Sequence, residues 1–301
     1  MARPVLEGPR TVLALGDGGF PPSLAAIPSP PKQLYVLGDP ACLVPGLAVI
    51  GARKATPYGL TCARHFARLA AGKGICIISG GARGCDGESH RAALEAGGPT
   101  VVFLGGGCDR YYPACHGRLF QEVVDGGGAV VSEYPWDTPP LPYMFRERNR
   151  LIAGLAQAVL IVEAGLPSGT FSTADDALNC GKEVLVVPGS ITSAASRGSN
   201  RLLYQGAVPI VDDDSFEQAL FDGLGVLQQE SATAAAGVAD DDPLLQAILA
   251  SPMTAEELYG LAQEACGREG ARKAMNATLA RAEAAGLIAR SPDGRWTSVV
   301  P

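Results

Sequence analysis

Between residues 47 and 211 the chain repeats one simple unit: a short run that is apolar on both faces, a loop rich in Gly, Ser or Arg, and a stretch with helical periodicity. The apolar runs fall at 47–50, 75–78, 100–104, 129–132, 158–163, 183–187 and 207–211. The periodic stretches fall at 57–72, 87–96, 116–125, 148–154, 172–180 and 200–205. A strand with no polar face has to be covered on both sides, as in a parallel sheet sandwiched between helices. Regular alternation of the two elements therefore predicts an α/β fold, a Rossmann-like, doubly wound and mostly parallel sheet.

Residues 1–46 are rich in Pro and Gly and predict an extended segment with one short strand at 33–37. The sheet domain is expected over 47–223, followed by a linker at 224–242 that is Ala-rich and then acidic. Residues 243–301 predict helices at 244–249, 254–265 and 268–285, then a hairpin turned at Pro292, Asp293 and Gly294. Thr254 followed by Glu257 fits a capping box. This order of helices and hairpin resembles a small C-terminal winged-helix domain.

The loops that follow the strands carry the chemistry. Gly51 and Arg53 follow the first; Ser79, Gly80, Arg83 and Gly84 follow the second, with Arg91 on the next helix. Gly105–Gly107, after the third, read as turn glycines. Arg146, Arg148 and Arg150 alternate through a later helix entry; Ser168, Gly169 and Thr170 follow the fifth strand, and Gly189 and Ser190 the sixth. In an open parallel sheet these loops share the carboxyl edge, where ligands bind. Gly-rich backbone and Arg together are suited to phosphate. The alternative for each Arg is an ordinary ion pair: Arg91 with Glu88 or Glu95, Arg146 with Glu147. Tyr143 and Phe145 are either base-stacking residues or core aromatics. Asn149 is either a contact or a helix cap.

The net charge of −7 argues against a polyanionic partner until it is mapped. Residues 47–211 hold 15 Lys and Arg against 13 Asp and Glu, whereas 212–301 hold 6 against 15. Residues 243–301 alone hold 6 of each, so the terminal module lacks the footprint of a duplex-DNA reader. No P-loop is present, and no G-x-G-x-x-G follows the first strand, so neither nucleoside triphosphatase nor dinucleotide chemistry is predicted. The three histidines and eight cysteines form no metal pattern, so no metal or cofactor is expected. Cys85, in a polar loop, is the one thiol that reads as reactive. No nucleophile has a convincing base, which predicts a binding protein and not an enzyme. No apolar run spans a bilayer and residues 1–10 lack a leader pattern, so a cytoplasmic protein is expected.

The segments AVIGARKATPYG (48–59), ISGGARGCDGESHRAALEAGG (78–98), SEYPWDTPPLPYMFRERNRLIAGLA (132–156), SGTFSTADDAL (168–178) and VPGSITSAASRGSNRLLYQGA (187–207), in this order, resemble the DNA-processing protein A family, DprA or Smf. The resemblance runs from about residue 16 to 211. It implies a Rossmann-like core that binds single-stranded DNA without chemistry, protects incoming strands in natural transformation, loads the RecA recombinase and forms a homodimer. Arg53, Arg83, Arg91, Asn149, Arg150, Ser168, Gly169, Gly189, Ser190 and Asn200 occupy the family's motif positions, and the resemblance implies that they touch DNA. The chain departs from the pattern in lacking room for the further N-terminal helical domain of many members, and in Cys85, Phe171, Asp175 and Asp176. The rival reading is a nucleotide-processing enzyme that hydrolyses the glycosidic bond of nucleoside monophosphates. It draws on the likeness of residues 167–171 to a G-G-x-G-T loop, with Glu163 or Asp175 as the carboxylate.

Overall fold

A computed structural model describes residues 5–166, 168–224, 243–284, 288–290 and 295–298. The chain divides into two compact units, Met1–Leu227 and Gln228–Pro301. The first holds a nine-stranded sheet, built from β1 (Arg10–Ala14), β2 (Gln33–Gly38), β3 (Gly46–Ile50), β4 (Ile77–Ser79), β5 (Thr100–Phe103), β6 (Ala129–Ser132), β7 (Ala156–Ile161), β8 (Glu183–Val186) and β9 (Val208–Pro209), in the order β1-β2-β6-β5-β4-β3-β7-β8-β9. From β6 through β9 every pairing is parallel. The chain starts in the middle with β3, steps outward to β6, then crosses back and continues from β7 to β9 on the other side. Strand order thus reverses between β3 and β7, the switch point at which a doubly wound sheet opens a crevice.

The N-terminal segment is more than an extension. β1 and β2 form an antiparallel ladder, and β2 pairs antiparallel with β6. Residues 10–38 therefore cap one edge of the sheet, and α1 (Pro22–Ala25) tucks Leu24 into the core. Leu34 and Val36 join the apolar layer on one sheet face, whereas Leu37 faces the other.

The main helices are α2 (Pro57–Gly72), α3 (Cys85–Glu95), α4 (Gly117–Asp125), α5 (Met144–Glu147), α6 (Asn149–Leu155), α7 (Thr170–Asn179), α8 (Arg197–Tyr204) and α9 (Asp213–Leu224). Alternation along β3 shows how they sandwich the sheet: Ala48 and Ile50 pack in a layer with Leu151, Leu155 and Ala174, while Leu47 and Val49 pack in the opposite layer with Ala63, Ala67 and Ala92. Thr56 caps α2 by accepting from the Gly59 N–H at 3.2 Å, and Pro57 fills the first helical position, where no donor is needed. α9 closes the second layer, with the Phe216 ring 4.7 Å from that of Phe66. Among the described residues no helix is long and apolar enough to cross a membrane.

The second unit contains α10 (Pro243–Ala250) and a helical stretch, α11 (Ala255–Ala284), broken at Gly267, whose φ of 71° no helix accommodates. The strands β10 (Ile288–Arg290) and β11 (Trp296–Ser298) pair antiparallel. The Thr254–Glu257 capping box forms: the Thr254 N–H and Oγ1 both donate to Glu257 Oε2, at 2.7 and 2.8 Å. Leu245, Ile248, Leu258, Ala282 and Ile288 make the core of this unit. The expected linker beyond Leu224 and the expected hairpin turn lie outside the described residues.

Phe216→Ala removes a fully buried ring from the α2–α9 layer and is expected to cost about 3–5 kcal/mol. Urea unfolding of the full chain measures this. A cost below about 1 kcal/mol would show that α9 is not part of the cooperative unit.

Candidate functional site

At the switch point lies a cleft of about 500 Å³. The end of β3 and its following loop supply Ile50, Gly51, Ala52 and Arg53; the loop beyond β4 supplies Ala82 and Asp86; α5 and α6 supply Phe145, Arg146, Arg148 and Asn149; and the region after β7 supplies Gly165, Ser168, Gly169 and Thr170. These segments are far apart in sequence, and the reversal of strand order brings them together.

The floor is built on Arg148, which is only 4 % exposed. Its Nη1 donates to the Gly80 carbonyl at 2.7 Å and to the Phe103 carbonyl, locking the α5–α6 junction onto the ends of β4 and β5. Its Nε is buried with no acceptor. Burial pushes the guanidinium down to about 10, against the favourable field of Asp86. Asp86 is 6 % exposed and accepts the Ala82 N–H at 3.3 Å. Burial raises its carboxyl above the usual range, opposed by Arg148, Arg53 and the loop N–H groups.

Pairing separates the other arginines. Arg150 is held by Glu133 through both Nη atoms, at 2.7 and 2.6 Å, and it also donates to the Ser29 and Glu147 carbonyls. Arg91 pairs with Glu88 at 3.3 Å. Both are committed to the protein's own groups, in place of the free phosphate contacts expected of them. Arg53, Arg83 and Arg146 are exposed and have no ion pair among the described residues. Arg53 lies over the Phe145 ring, 5.7 Å from its centroid. Arg53 and Arg146 line the cleft, whereas Arg83 lies on the adjacent β4–α3 loop and does not line it. The sequence pointed Arg146 toward a salt bridge; the structure leaves it unpaired.

The glycines divide in the same way. A Cβ on Gly51 would strike the Cys85 sulfur, one on Gly80 the Arg148 guanidinium, and one on Gly84 the Ala52 carbonyl. Gly84 also has a φ of 79°. These three are glycines because the protein packs against them, not because a ligand does. Ser79 is likewise internal, its Oγ donating to the Val49 carbonyl at 2.6 Å. Gly169 differs: a Cβ there would meet nothing within 4 Å, and it precedes α7, whose first N–H groups have no partner within the helix. Ser168 Oγ accepts the Thr170 N–H at 3.2 Å and donates to Thr170 Oγ1. Asn149, the first residue of α6, lines the cleft and donates to Ser172 Oγ at 3.0 Å.

Gly189, Ser190 and Asn200 belong elsewhere. The Asn200 amide makes two bonds to the backbone of Gly189, at 3.1 and 2.9 Å, and so fixes the loop after β8. Gly189 and Ser190 line a second cleft of about 480 Å³, with Thr56, Tyr58 and Glu163. Glu163 is not available as a catalytic carboxylate, because one oxygen accepts the Thr56 N–H at 2.8 Å and the other Thr56 Oγ1 at 2.6 Å. Asp175 is exposed on α7 and lines neither cleft.

Cys85 is buried against Gly51 and its thiol is pushed up to about 12, so it is not the reactive thiol that the loop composition suggested. Among the described residues no cluster of three or more His, Cys, Asp or Glu is placed to hold a metal. His90 is buried with Nδ1 2.7 Å from Thr100 Oγ1, and burial pulls its imidazole down to about 3. His116 holds the Gly81 carbonyl through Nδ1 at 2.9 Å, bracing the β4–α3 loop from below.

Comparison with known proteins matches residues 11–220 to the DNA recombination-mediator protein A family. Protein Smf of Escherichia coli is 42 % identical over 221 residues, which cover 73 % of this chain and 59 % of the relative. The chain thus spans less than two thirds of that relative's length. Two solved structures superpose with a TM-score of 0.65 at 32 % identity. One is the DNA processing protein A of Streptococcus pneumoniae, covering 69 % of this chain and 74 % of that one. The other is its counterpart from Helicobacter pylori, described for a unique single-stranded DNA binding mode, covering 72 % and 98 %.

Two stability measurements test this geometry. Arg148→Ala strands two carbonyls and removes the cation nearest Asp86, and is expected to cost roughly 2–4 kcal/mol. Arg53→Ala is expected to stay within about 0.5 kcal/mol of the parent. Equal costs would contradict the division into floor and rim. For His90 the folded value lies below the ordinary value of about 6.5, so the unfolded chain takes up the proton first. Its contribution is complete above pH 6.5 and is lost as pH falls toward 3. Urea midpoints across that window should fall with acidification, and His90→Gln should flatten the slope; an unchanged slope would remove His90 as its source.

Proposed function

The chain belongs to the DNA recombination-mediator protein A family, and from that membership we propose that it is a single-stranded-DNA-binding protein of the DNA-processing type. The observation that carries the reading is the sorting of cations at the carboxyl edge. Arg91 and Arg150 are consumed by acids, while Arg53, Arg83 and Arg146 stand unpaired, among the described residues, around one cleft and its rim. An exposed cation without an acid is the group that gains most from a phosphate, since no internal bond must first be broken.

In this reading Arg53 and Arg146 neutralise phosphates at the cleft and Arg83 takes one along the rim. The N–H groups at the start of α7 donate to phosphate oxygens where Gly169 leaves room for close approach. Phe145, beneath Arg53, offers a face on which a base stacks, worth about 1–3 kcal/mol per base, and Tyr143, exposed at the start of α5, offers a second. Backbone contacts of this kind bind strands largely without regard to sequence and weaken with salt. Arg148 acts one step removed, by holding the loops that carry the contacts.

Binding occurs without turnover in this reading. Of the two carboxylates that a glycosidic-bond hydrolase would draw on, Glu163 is fully engaged by Thr56 and Asp175 lies away from the cleft. The family resemblance extends the proposal to protection of incoming strands in natural transformation, loading of RecA, a homodimer and a cytoplasmic setting. The second unit, with equal numbers of acidic and basic residues over 243–301, is proposed as a winged-helix accessory module that contacts protein in preference to duplex DNA.

Fluorescence anisotropy with single-stranded and duplex oligonucleotides across a salt series tests the core reading. The parent should prefer the single strand, with log K falling by about 0.7 per phosphate contacted for each decade of salt. Arg53→Ala, Arg83→Ala and Arg146→Ala should each make that slope shallower by about one contact, and Arg91→Ala should leave it unchanged. No binding at low salt, or steady release of free base from nucleoside monophosphates, would overturn the reading.

A further inference from the structure

Phosphate binding accounts for the rim of the cleft but not for its floor. A phosphate site has no use for a carboxylate, yet Asp86 lines this one, nearly buried, with a long hydrogen bond from the Ala82 N–H. Beside it Arg148, also lining the cleft, keeps an Nε–H with no acceptor. Poorly satisfied buried polar groups are costly and uncommon, and two at the base of one cavity call for a partner. The walls above them are flat and apolar: Ile50, Ile152 and the Phe145 ring. Asn149 donates its amide to Ser172, which leaves its Oδ1 facing the same cleft as an acceptor. The volume, about 500 Å³, falls in the range of small-molecule sites, roughly 300–1,000 Å³.

A planar ring between apolar walls, with an acceptor and a donor side by side at its inner edge, fits a nucleobase. We propose that the floor of this cleft takes up one base of the bound strand, and that Asp86 and Arg148 make it selective for guanine. Guanine is the one standard base with two adjacent donors, N1–H and the N2 amino group, to meet both oxygens of a carboxylate, and with O6 next to them to accept from a guanidinium. Adenine offers one donor beside an acceptor, cytosine likewise, and thymine a lone N–H between two carbonyls. A site whose buried polar groups are matched by one base discriminates strongly against bases that leave them unpaired. The inference rests on the single-stranded DNA reading and adds to it: the rim holds the backbone of any strand, and the floor fixes its register wherever a guanine turns inward.

The test uses the full chain at fixed salt, with an oligothymidylate as reference and the same oligonucleotide carrying one central guanine, adenine, cytosine or hypoxanthine. The guanine oligonucleotide is expected to bind about tenfold more tightly than the reference. Hypoxanthine, which keeps O6 and N1–H but lacks the amino group, should lose most of that gain. In Asp86→Asn, with folding checked by circular dichroism, the ratio between guanine and thymine oligonucleotides should fall to about one. Should that variant fail to fold, the hypoxanthine substitution carries the test unaided, since it alters only the DNA. Free guanosine monophosphate is the control for source. If it displaces the reference strand while the guanine oligonucleotide shows no advantage, the floor serves free nucleotides and the proposal is overturned. Equal affinity for all five strands also overturns it while leaving the phosphate reading intact. Failure of every strand to bind overturns that reading and this one together.

Discussion

The Arg148 guanidinium is the point on which the rest of the site depends. Two strand ends and a helix junction converge there, and none could take its position without the others. Gly80 lacks a side chain because the guanidinium occupies that space, and the carbonyls of Gly80 and Phe103 face inward because a cation receives them. A charged group held this deep is weak evidence of added stability, because burial costs about what the bonds return. Its contribution is to geometry, since the loop from Gly80 to Gly84 and the start of α6 are set by one planar fork instead of by flexible contacts.

From that anchor the division of labour among the arginines follows. Arg146, Arg148 and Arg150 alternate along one short stretch and are chemically identical, yet one lines the cleft unpaired, one is swallowed by the floor and one is clamped by Glu133. The α5–α6 junction falls at Arg148, so residues two apart point in different directions. What determines affinity for a polyanion is the number of cations left without an internal partner, a quantity that neither the net charge of −7 nor the near-neutral balance of residues 47–211 reveals.

These facts mark how far sequence reaches. The parallel sheet was legible because strands apolar on both faces admit few other arrangements, and its loops necessarily share an edge. β1 escaped notice because only Leu13 of its five residues is fully buried and it sits among Gly and Pro, so an edge strand there carries no clean alternation. The pairing of Arg91 with Glu88 was readable from helix spacing. That of Arg150 with Glu133 was not, because it joins residues that only the finished fold brings together. Gly51, Gly80 and Gly84 looked like a phosphate cradle because a glycine that admits a ligand and one that admits a neighbouring side chain are the same letter. Of these loop glycines and Gly169, only the last opens onto empty space.

The two buried carboxylates at the carboxyl edge show where the fold stops serving itself. Glu163 has each oxygen on a donor of Thr56, and Gly59 leaves room for it, so it fastens β7 to the start of α2 and has nothing left to offer. Asp86 sits at the other side of the same switch point, as deeply enclosed, yet the hydrogen bond it accepts from Ala82 is long, and the nearest guanidinium is turned to backbone carbonyls. A chain folding only for stability would have paired Asp86 as it paired Glu163. An under-satisfied carboxylate beside an under-satisfied guanidinium, at the bottom of an open cleft, is a cost carried by the empty protein that a bound molecule of complementary pattern removes, and that difference in free energy is what makes a floor selective.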